Sequence, residues 1–303
     1  MKIFYLPQEK IDKTKWDHCI ETSANGLIYA YSFYLDTMSK NWDALILDDY
    51  SVVMPLTWNK KFGIYYLYQP FFAASLGIFG NDISEETVKA FLDSIPAKFK
   101  YWDFYLNRNN VFSIAGYDLY ERRNFILNLQ KNYDHLSAHY SKSHIRNIKR
   151  AKDSGNVVQK NIPLADVITL AKEQSKDFSP VTEKDYENFS LLFSVLKQKN
   201  HAATYGVLST QQELVASCVY FFSHNRAYYI LVGNHPNGRT SGASHLMIDY
   251  FIKEYAGENL LLDFEGSDIK NLAWFYESFG ASEEKYAGIK LNRLPPLARL
   301  FKQ

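Results

Sequence analysis

The chain has 303 residues, 47% apolar and 22% charged, an ordinary soluble globular composition long enough for two cores of about 150 residues. A formal net charge of +1 gives no overall attraction to nucleic acid or to a membrane. Two distant cysteines, Cys19 and Cys218, argue for a reduced setting and against a metal or redox role. No apolar run reaches the roughly 18 residues of a membrane span and the start is too short for a signal peptide, so a cytoplasmic protein without metal is expected.

In chain order, Ile3–Leu6 reads as a strand, and Trp16–Thr22 and Ser32–Met38 as helices. Asp43–Leu47 and Val52–Trp58 read as strands joined by the turn Asp48-Asp49-Tyr50-Ser51, with Tyr65–Gln69 as a third. A loop with Gly77 and Gly80 precedes a helix over Ser84–Ser94, where Ser84 is the N-cap and Glu85 and Glu86 sit in the first turn. Tyr101–Leu106 and Phe125–Leu129 follow as strands, and Ser137–Lys152 as a connecting helix.

The second half runs through the same order. Val157–Gln159 reads as a strand, Leu164–Asp177 and Asp185–Lys199 as helices, Thr204–Ser209 and Leu214–Phe222 as a hairpin, and Ala227–Val232 as a third strand. After a glycine-rich loop to Ser244 come a helix over Ser244–Tyr255, strand Leu260–Phe264, a helix carrying Tyr276, and a late strand Ile289–Arg293. Asp103-Phe104 falls on Asp263-Phe264, 160 residues later, as a duplication requires. The expected modules are residues 1–136 and 137–303.

The chemistry-bearing residues gather in the second half. From Val232 and Gly233 through Gly238-Arg239-Thr240-Ser241-Gly242-Ala243-Ser244, a glycine loop opens a helix, an arrangement that presents N–H groups and a positive helix end to a phosphate. The bland alternative is a surface loop with Asn-Gly and Pro turn signals, in which Ser244 is simply the helix N-cap. Tyr276 can return a proton to a leaving group, or can belong to an aromatic stripe with Trp274, Phe275 and Phe279. Asp263 and Glu265 alternate on a strand, so both should point to one face as a base or substrate anchor, unless they cap a turn or pair with Arg239. His201 and His245 are weaker candidates. On the connecting helix Arg146, Lys149 and Arg150 share a face, either a solvated surface or an anion clamp for a phosphorylated acceptor or RNA. A phosphate-bearing donor beside a proton donor points to group transfer. The first half lacks these features; Tyr66, Tyr68, Gln69 and Phe71 near its open strand end are read as an acceptor-binding surface.

The element order, with a glycine loop between the fourth strand and its helix, resembles the GNAT acyltransferase fold. Arg239-Thr240-Ser241-Gly242-Ala243-Ser244 is similar to that family's Gln/Arg-x-x-Gly-x-Gly/Ala pyrophosphate loop, with serine at the last place. Asn271, Ala273, Tyr276 and Gly280 follow the style of its Asn-x-x-Ala-x-x-x-Tyr-x-x-x-Gly-Phe helix, one residue short between Asn271 and Ala273. The tandem arrangement resembles the FemAB-like branch, as do Ser143-His144-Ile145-Arg146-Asn147-Ile148-Lys149-Arg150-Ala151, Leu262-Asp263-Phe264-Glu265-Gly266-Ser267 and Phe275-Tyr276-Glu277-Ser278-Phe279-Gly280. The resemblance implies an α+β (α/β) chain of two tandem GNAT-like modules, each a mixed central sheet flanked by helices. It further implies an acyl-CoA donor, such as acetyl-CoA, on Val232, Gly233, Gly238–Ser244 and Asn271, with Tyr276 protonating the leaving thiolate. The acceptor would be the amine of a small molecule or of a bacterial cell-envelope precursor. Two alternatives stay open: a Fem-like transfer from aminoacyl-tRNA, for whose long helical arm the sequence leaves no room, and a non-catalytic ligand- or partner-binding module.

Overall fold

Caps and alternation place the first elements where the sequence puts them. The computed structural model describes residues 2–177, 179–266 and 268–294, so Ser267 of the quoted motif lies outside the described residues. After β1 (Ile3–Leu6), Asp12 caps α1 (Lys13–Thr22) by accepting from the N–H groups of Thr14 and Lys15. α2 (Ser32–Met38), β2 (Trp42–Leu47), β3 (Val52–Lys61), β4 (Ile64–Tyr68) and the short β5 (Phe79–Gly80) follow. Ser84 caps α3 (Glu85–Asp93) through Thr87 N, and β6 (Phe99–Leu106) ends the series.

β7 (Leu119–Asn128) leads into α4 (Tyr133–Ser137) and α5 (Lys142–Asp153). The single connecting helix expected over Ser137–Lys152 is thus two, because Ser141 starts a new helix by accepting from His144 N. The second series is β8 (Val157–Lys160), α6 (Leu164–Ser175), α7 (Glu183–Gln198), β9 (Ala202–Leu208), β10 (Leu214–Ser223) and β11 (Arg226–Asn234). It continues through α8 (Pro236–Ser241), α9 (Ala243–Tyr255), β12 (Leu261–Asp263), α10 (Lys270–Glu277) and β13 (Ser282–Asn292). A reciprocal capping box of Thr182 and Asp185 starts α7, which at 16 residues is the longest helix among the described residues.

The chain packs as two units: residues 1–122 with the described residues from 285 on, and residues 123–284. These do not follow the single cut after residue 136 that the sequence suggested. In the first unit the strands run β1-β2-β3-β4-β6 and then β13, with β4 parallel to β6 and β5 beside β3. In the second they run β8-β9-β10-β11-β12 and then β7, with β11 parallel to β12. Each late strand therefore pairs outside its own series: β7 lies antiparallel to β12, and β13 antiparallel to β6. The duplication is otherwise in register, since Tyr68 stands opposite Asp103 and, 160 residues on, Tyr228 stands opposite Asp263.

The first unit's core gathers Phe91, Phe99, Trp102, Leu106 and Ile289. The second unit's core holds Tyr220, Phe251, Tyr229, Phe264 and Phe279, with Phe251 stacked on Tyr220 at 3.9 Å. A ring so fully buried contributes roughly 2–3 kcal/mol of transfer free energy. Cys19 and Cys218 are buried free thiols, Cys218 within the second unit's core. Among the described residues no helix is long and apolar enough to cross a membrane, and no group of three His, Cys, Asp or Glu side chains is placed to hold a metal.

Candidate active site

The second unit's sheet opens at one point. β11 and β12 pair only from Arg226–Tyr228 to Leu261–Asp263; β12 then stops while β11 continues along β10 to Asn234. The register of β11 against β10 slips between Val219 and Tyr220, leaving Ile230 as a bulge, which bends the strand where it departs from β12. After Phe264 the chain turns through Glu265 and Gly266, both left-handed (φ 65° and 83°), and returns as α10. Tyr229, Phe264 and Tyr276 stand together at this parting, with the Tyr276 ring stacked 4.5 Å from Phe264 and the Phe264 ring 6.1 Å from Tyr229.

The corresponding parting in the first unit is filled by the chain itself. Gln69 Oε1 accepts from Tyr105 N (3.0 Å), its Nε2 donates to Ala73 O (2.7 Å), and Leu76 N donates to Tyr105 O (3.0 Å). Gln69 is therefore a plug with both ends of its amide engaged within the first unit, where the sequence suggested part of an acceptor-binding surface. Tyr68 Oη accepts from Lys40 N (2.9 Å), and Phe71 is 38% exposed.

The glycine-rich stretch is not a loop. Val232 and Gly233 are sheet residues opposite Cys218 and Ser217. His235 caps α8 by accepting from Asn237 N, and Pro236 occupies its first turn, so Gly238, Arg239, Thr240 and Ser241 are helical. Left-handed Gly242 (φ 83°) ends α8 and is itself the N-cap of α9. Each glycine answers to packing: a Cβ would lie 2.7 Å from Ala171 N at Gly233, 2.0 Å from Val215 O at Gly238, and 2.5 Å from Asn147 O at Gly242. Ser244 is not the cap; its Oγ bonds Asn234 Oδ1. What remains for an anion is the first turn of α9. The N–H groups of Ala243, Ser244 and His245 precede any intrahelical partner, at the positive end of a 13-residue helix.

α5 borders this turn. Arg150 Nη1 donates to Thr240 O (3.0 Å), and Asn147 Nδ2 donates to His245 Nε2 (3.1 Å). Arg146 is exposed one turn before Arg150, so both guanidinium groups share the face next to α8. α10 borders it too: His144 Nε2 donates to Phe275 O (3.0 Å), and the His245 ring lies 4.5 Å from His144 and 4.9 Å from Phe275. Burial lowers His144 to about 4; burial, then the neighbouring His144 and Arg150, lowers His245 to about 3. Both rings are neutral at pH 7, and His201 is exposed.

Tyr276 is 5% exposed, and burial followed by the charge of Glu265 pushes its phenol well above the ordinary value, so it keeps its proton at neutral pH. Asn271 is exposed in the first turn of α10 and makes no cap. Asp263 and Glu265 do not share a strand face, because the strand ends at Asp263. Asp263 is buried and paired with Arg226 Nη1 (2.5 Å), not with Arg239, and it also accepts from Asn124 Nδ2 (2.9 Å) and Glu265 N (2.9 Å). Arg226 forks onward to Glu284 (2.6 Å), which leaves Asp263 an ion-pair member and Glu265 the half-buried carboxylate beside Tyr276. Arg226, Asn124, Glu284 and His144 were missed in the sequence. An arginine inside the apolar strand Arg226-Ala227-Tyr228-Tyr229 was the available signal, since a buried guanidinium requires carboxylates.

No protein-family model matches the chain and no curated protein matches it by sequence. Its fold is similar to solved structures at low identity. FemX shares 14% identity at a TM-score of 0.66 over 100% of both chains. A conserved protein of unknown function from Bacteroides thetaiotaomicron shares 12% at 0.60, over 92% of this chain and 96% of that one. L-PGS from Bacillus licheniformis shares 13% at 0.56, over 96% and 94%. The likeness shows a mixed α/β fold shared with FemX over the whole chain.

Proposed function

We propose that the chain is an N-acyltransferase that moves an acyl group from acyl-CoA to an amine. The observation that carries this reading is the first turn of α9. Its three N–H groups, flanked by Arg150 and Arg146, lie next to α10, which holds a protonated tyrosine at the parting of β11 and β12. The donor's pyrophosphate would rest on Ala243, Ser244 and His245, while Gly238, Gly242 and Asn234 shape that turn. The amine nitrogen attacks the thioester carbonyl carbon, the C–N bond forms and the C–S bond breaks. Tyr276 gives its proton to the departing thiolate and recovers one from solvent. Glu265 takes the proton that the attacking amine sheds, and the Arg226–Asp263–Glu284 ion group keeps the end of β12 in place for both. Positioning two reactants is the main source of acceleration in such a transfer.

Calorimetric titration of the full chain with CoA and acetyl-CoA tests the donor. Saturable binding that weakens in an Arg150→Ala variant is expected, and no heat at millimolar ligand removes the acyl-CoA reading. A second reading, transfer from aminoacyl-tRNA, is supported by the likeness to FemX over the whole chain and by the basic face of α5. It predicts tRNA binding that falls steeply between 50 and 200 mM salt, as neutralised phosphates release counterions, at roughly tenfold or more. Salt-insensitive or absent tRNA binding counts against it. A non-catalytic module would show ligand binding with turnover absent in wild type and variants alike.

A further inference from the structure

The β3–β4 hairpin of the first unit breaks two local rules at its tip. Lys61 pairs with Ile64, so the loop is the two residues Phe62-Gly63, both left-handed at φ 49° and 80°. Such a turn favours Asn, Asp or Gly at its first position, and a large L-residue there is strained. The same phenylalanine is 92% exposed. Neither backbone conformation nor burial accounts for an aromatic residue at that place, and sites that break local rules without a folding gain are where function resides.

The tip also projects. β2 accompanies β3 only as far as Thr57, so Asn59, Lys60 and Lys61 have no strand beside them on that side among the described residues. The same end of the sheet collects cations. Lys60 and Lys61 directly precede Phe62, and Lys98 and Lys100 flank Phe99, which is paired beside Tyr65. Arg293 is tied in by its N–H donating to Lys100 O (2.8 Å). Lys98 lies 3.6 Å from the buried Asp43, which offsets its charge. Lys60, Lys61 and Lys100 are exposed and have no acidic partner among the described residues. In a chain of net charge +1 this is a local concentration, not a global property.

We propose that this hairpin tip docks the protein on anionic membrane surfaces. Phe62 enters the boundary between headgroups and acyl chains, and Lys60, Lys61 and Lys100 rest on the lipid phosphates. A nucleic acid is the poorer match, because it needs a groove or a stacking platform along its path, and one ring at the apex of a two-stranded hairpin supplies neither. The docking holds whichever donor the second unit takes.

Co-sedimentation of the full chain with vesicles of phosphatidylcholine, alone or with about one third phosphatidylglycerol, tests the proposal. Binding to the anionic vesicles only, weakening as salt rises, is expected. Phe62→Asn lowers the partition coefficient about tenfold, while its thermal midpoint stays level or rises because asparagine suits the turn. Lys60→Ser with Lys61→Ser lowers it about 25-fold, roughly fivefold for each charge. Wild-type protein that ignores anionic vesicles, or a Phe62→Asn variant that binds as tightly as wild type, overturns the proposal. Equal binding to neutral vesicles, or capture by polyuridylate without capture by vesicles, does so too.

Discussion

Acid should loosen the junction of α5, α9 and α10 before it unfolds the rest. His144 has no exposed surface; its Nε2 donates to Phe275 O, and it titrates at about 4 instead of 6.5 because burial disfavours the charged ring. The unfolded chain takes up this proton as pH falls through 6.5, while the folded chain resists it until about 4. Stability is therefore complete above 6.5 and is lost progressively between 6.5 and 4. From pH 6.5 down to about 5, a window of some 1.5 units, the loss is about 2 kcal/mol for this ring alone, at 1.36 kcal/mol per unit. That is a large share of the 5–15 kcal/mol by which domains are stable. Urea unfolding followed by tryptophan fluorescence at about pH 7, 6 and 5 reads the loss, with His144→Phe as the comparison. The phenylalanine variant loses the bond to Phe275 O at every pH, roughly 1 kcal/mol, yet should have the shallower dependence between pH 6.5 and 5. Parallel profiles for the two proteins would refute the assignment of the buried neutral ring.

Three further outcomes follow from the site. Tyr276→Phe should reduce kcat by about 100-fold or more with KM for the donor unchanged, since only the proton donor is lost; steady-state kinetics against acetyl-CoA decides it. Arg226→Met leaves the buried Asp263 and the half-buried Glu284 without their cation and should cost roughly 3–5 kcal/mol. Adding Glu284→Gln should restore part of that, as denaturant midpoints would reveal, and no recovery would mean that the arginine acts through packing. Gln69→Ala should cost about 1–3 kcal/mol, because Tyr105 N loses its partner. CoA affinity by calorimetry should stay unchanged, and a weakened donor would contradict the plug.

The order of elements was legible because its causes are local. Ser84 with Glu85 and Glu86 announces a helix start, alternation announces the strands on either side of Asp48–Ser51, and the Asp103 to Asp263 repeat announces the duplication. The glycines after Val232 read as a phosphate-holding loop or a plain turn, yet His235 and Pro236 form a helix start, and the close approaches that demand Gly238 and Gly242 come from Val215 and Asn147, far away in sequence. The sequence offered Asp263 either a base or anchor role or a pairing with Arg239; its partner is instead Arg226, 37 residues away, which in turn holds Glu284, 58 residues further on.

By itself, then, the sequence determined the repeated series of strands and helices, since caps, periodicity and turn chemistry act over a few residues. The tertiary structure alone decided that β7 and β13 trade places, that Gln69 closes the first unit's parting while the second unit's β11 and β12 stay apart, and that His144 and His245 are neutral. Those outcomes depend on which distant groups meet and on how much water they lose when they do, and neither quantity is written in any local stretch of chain.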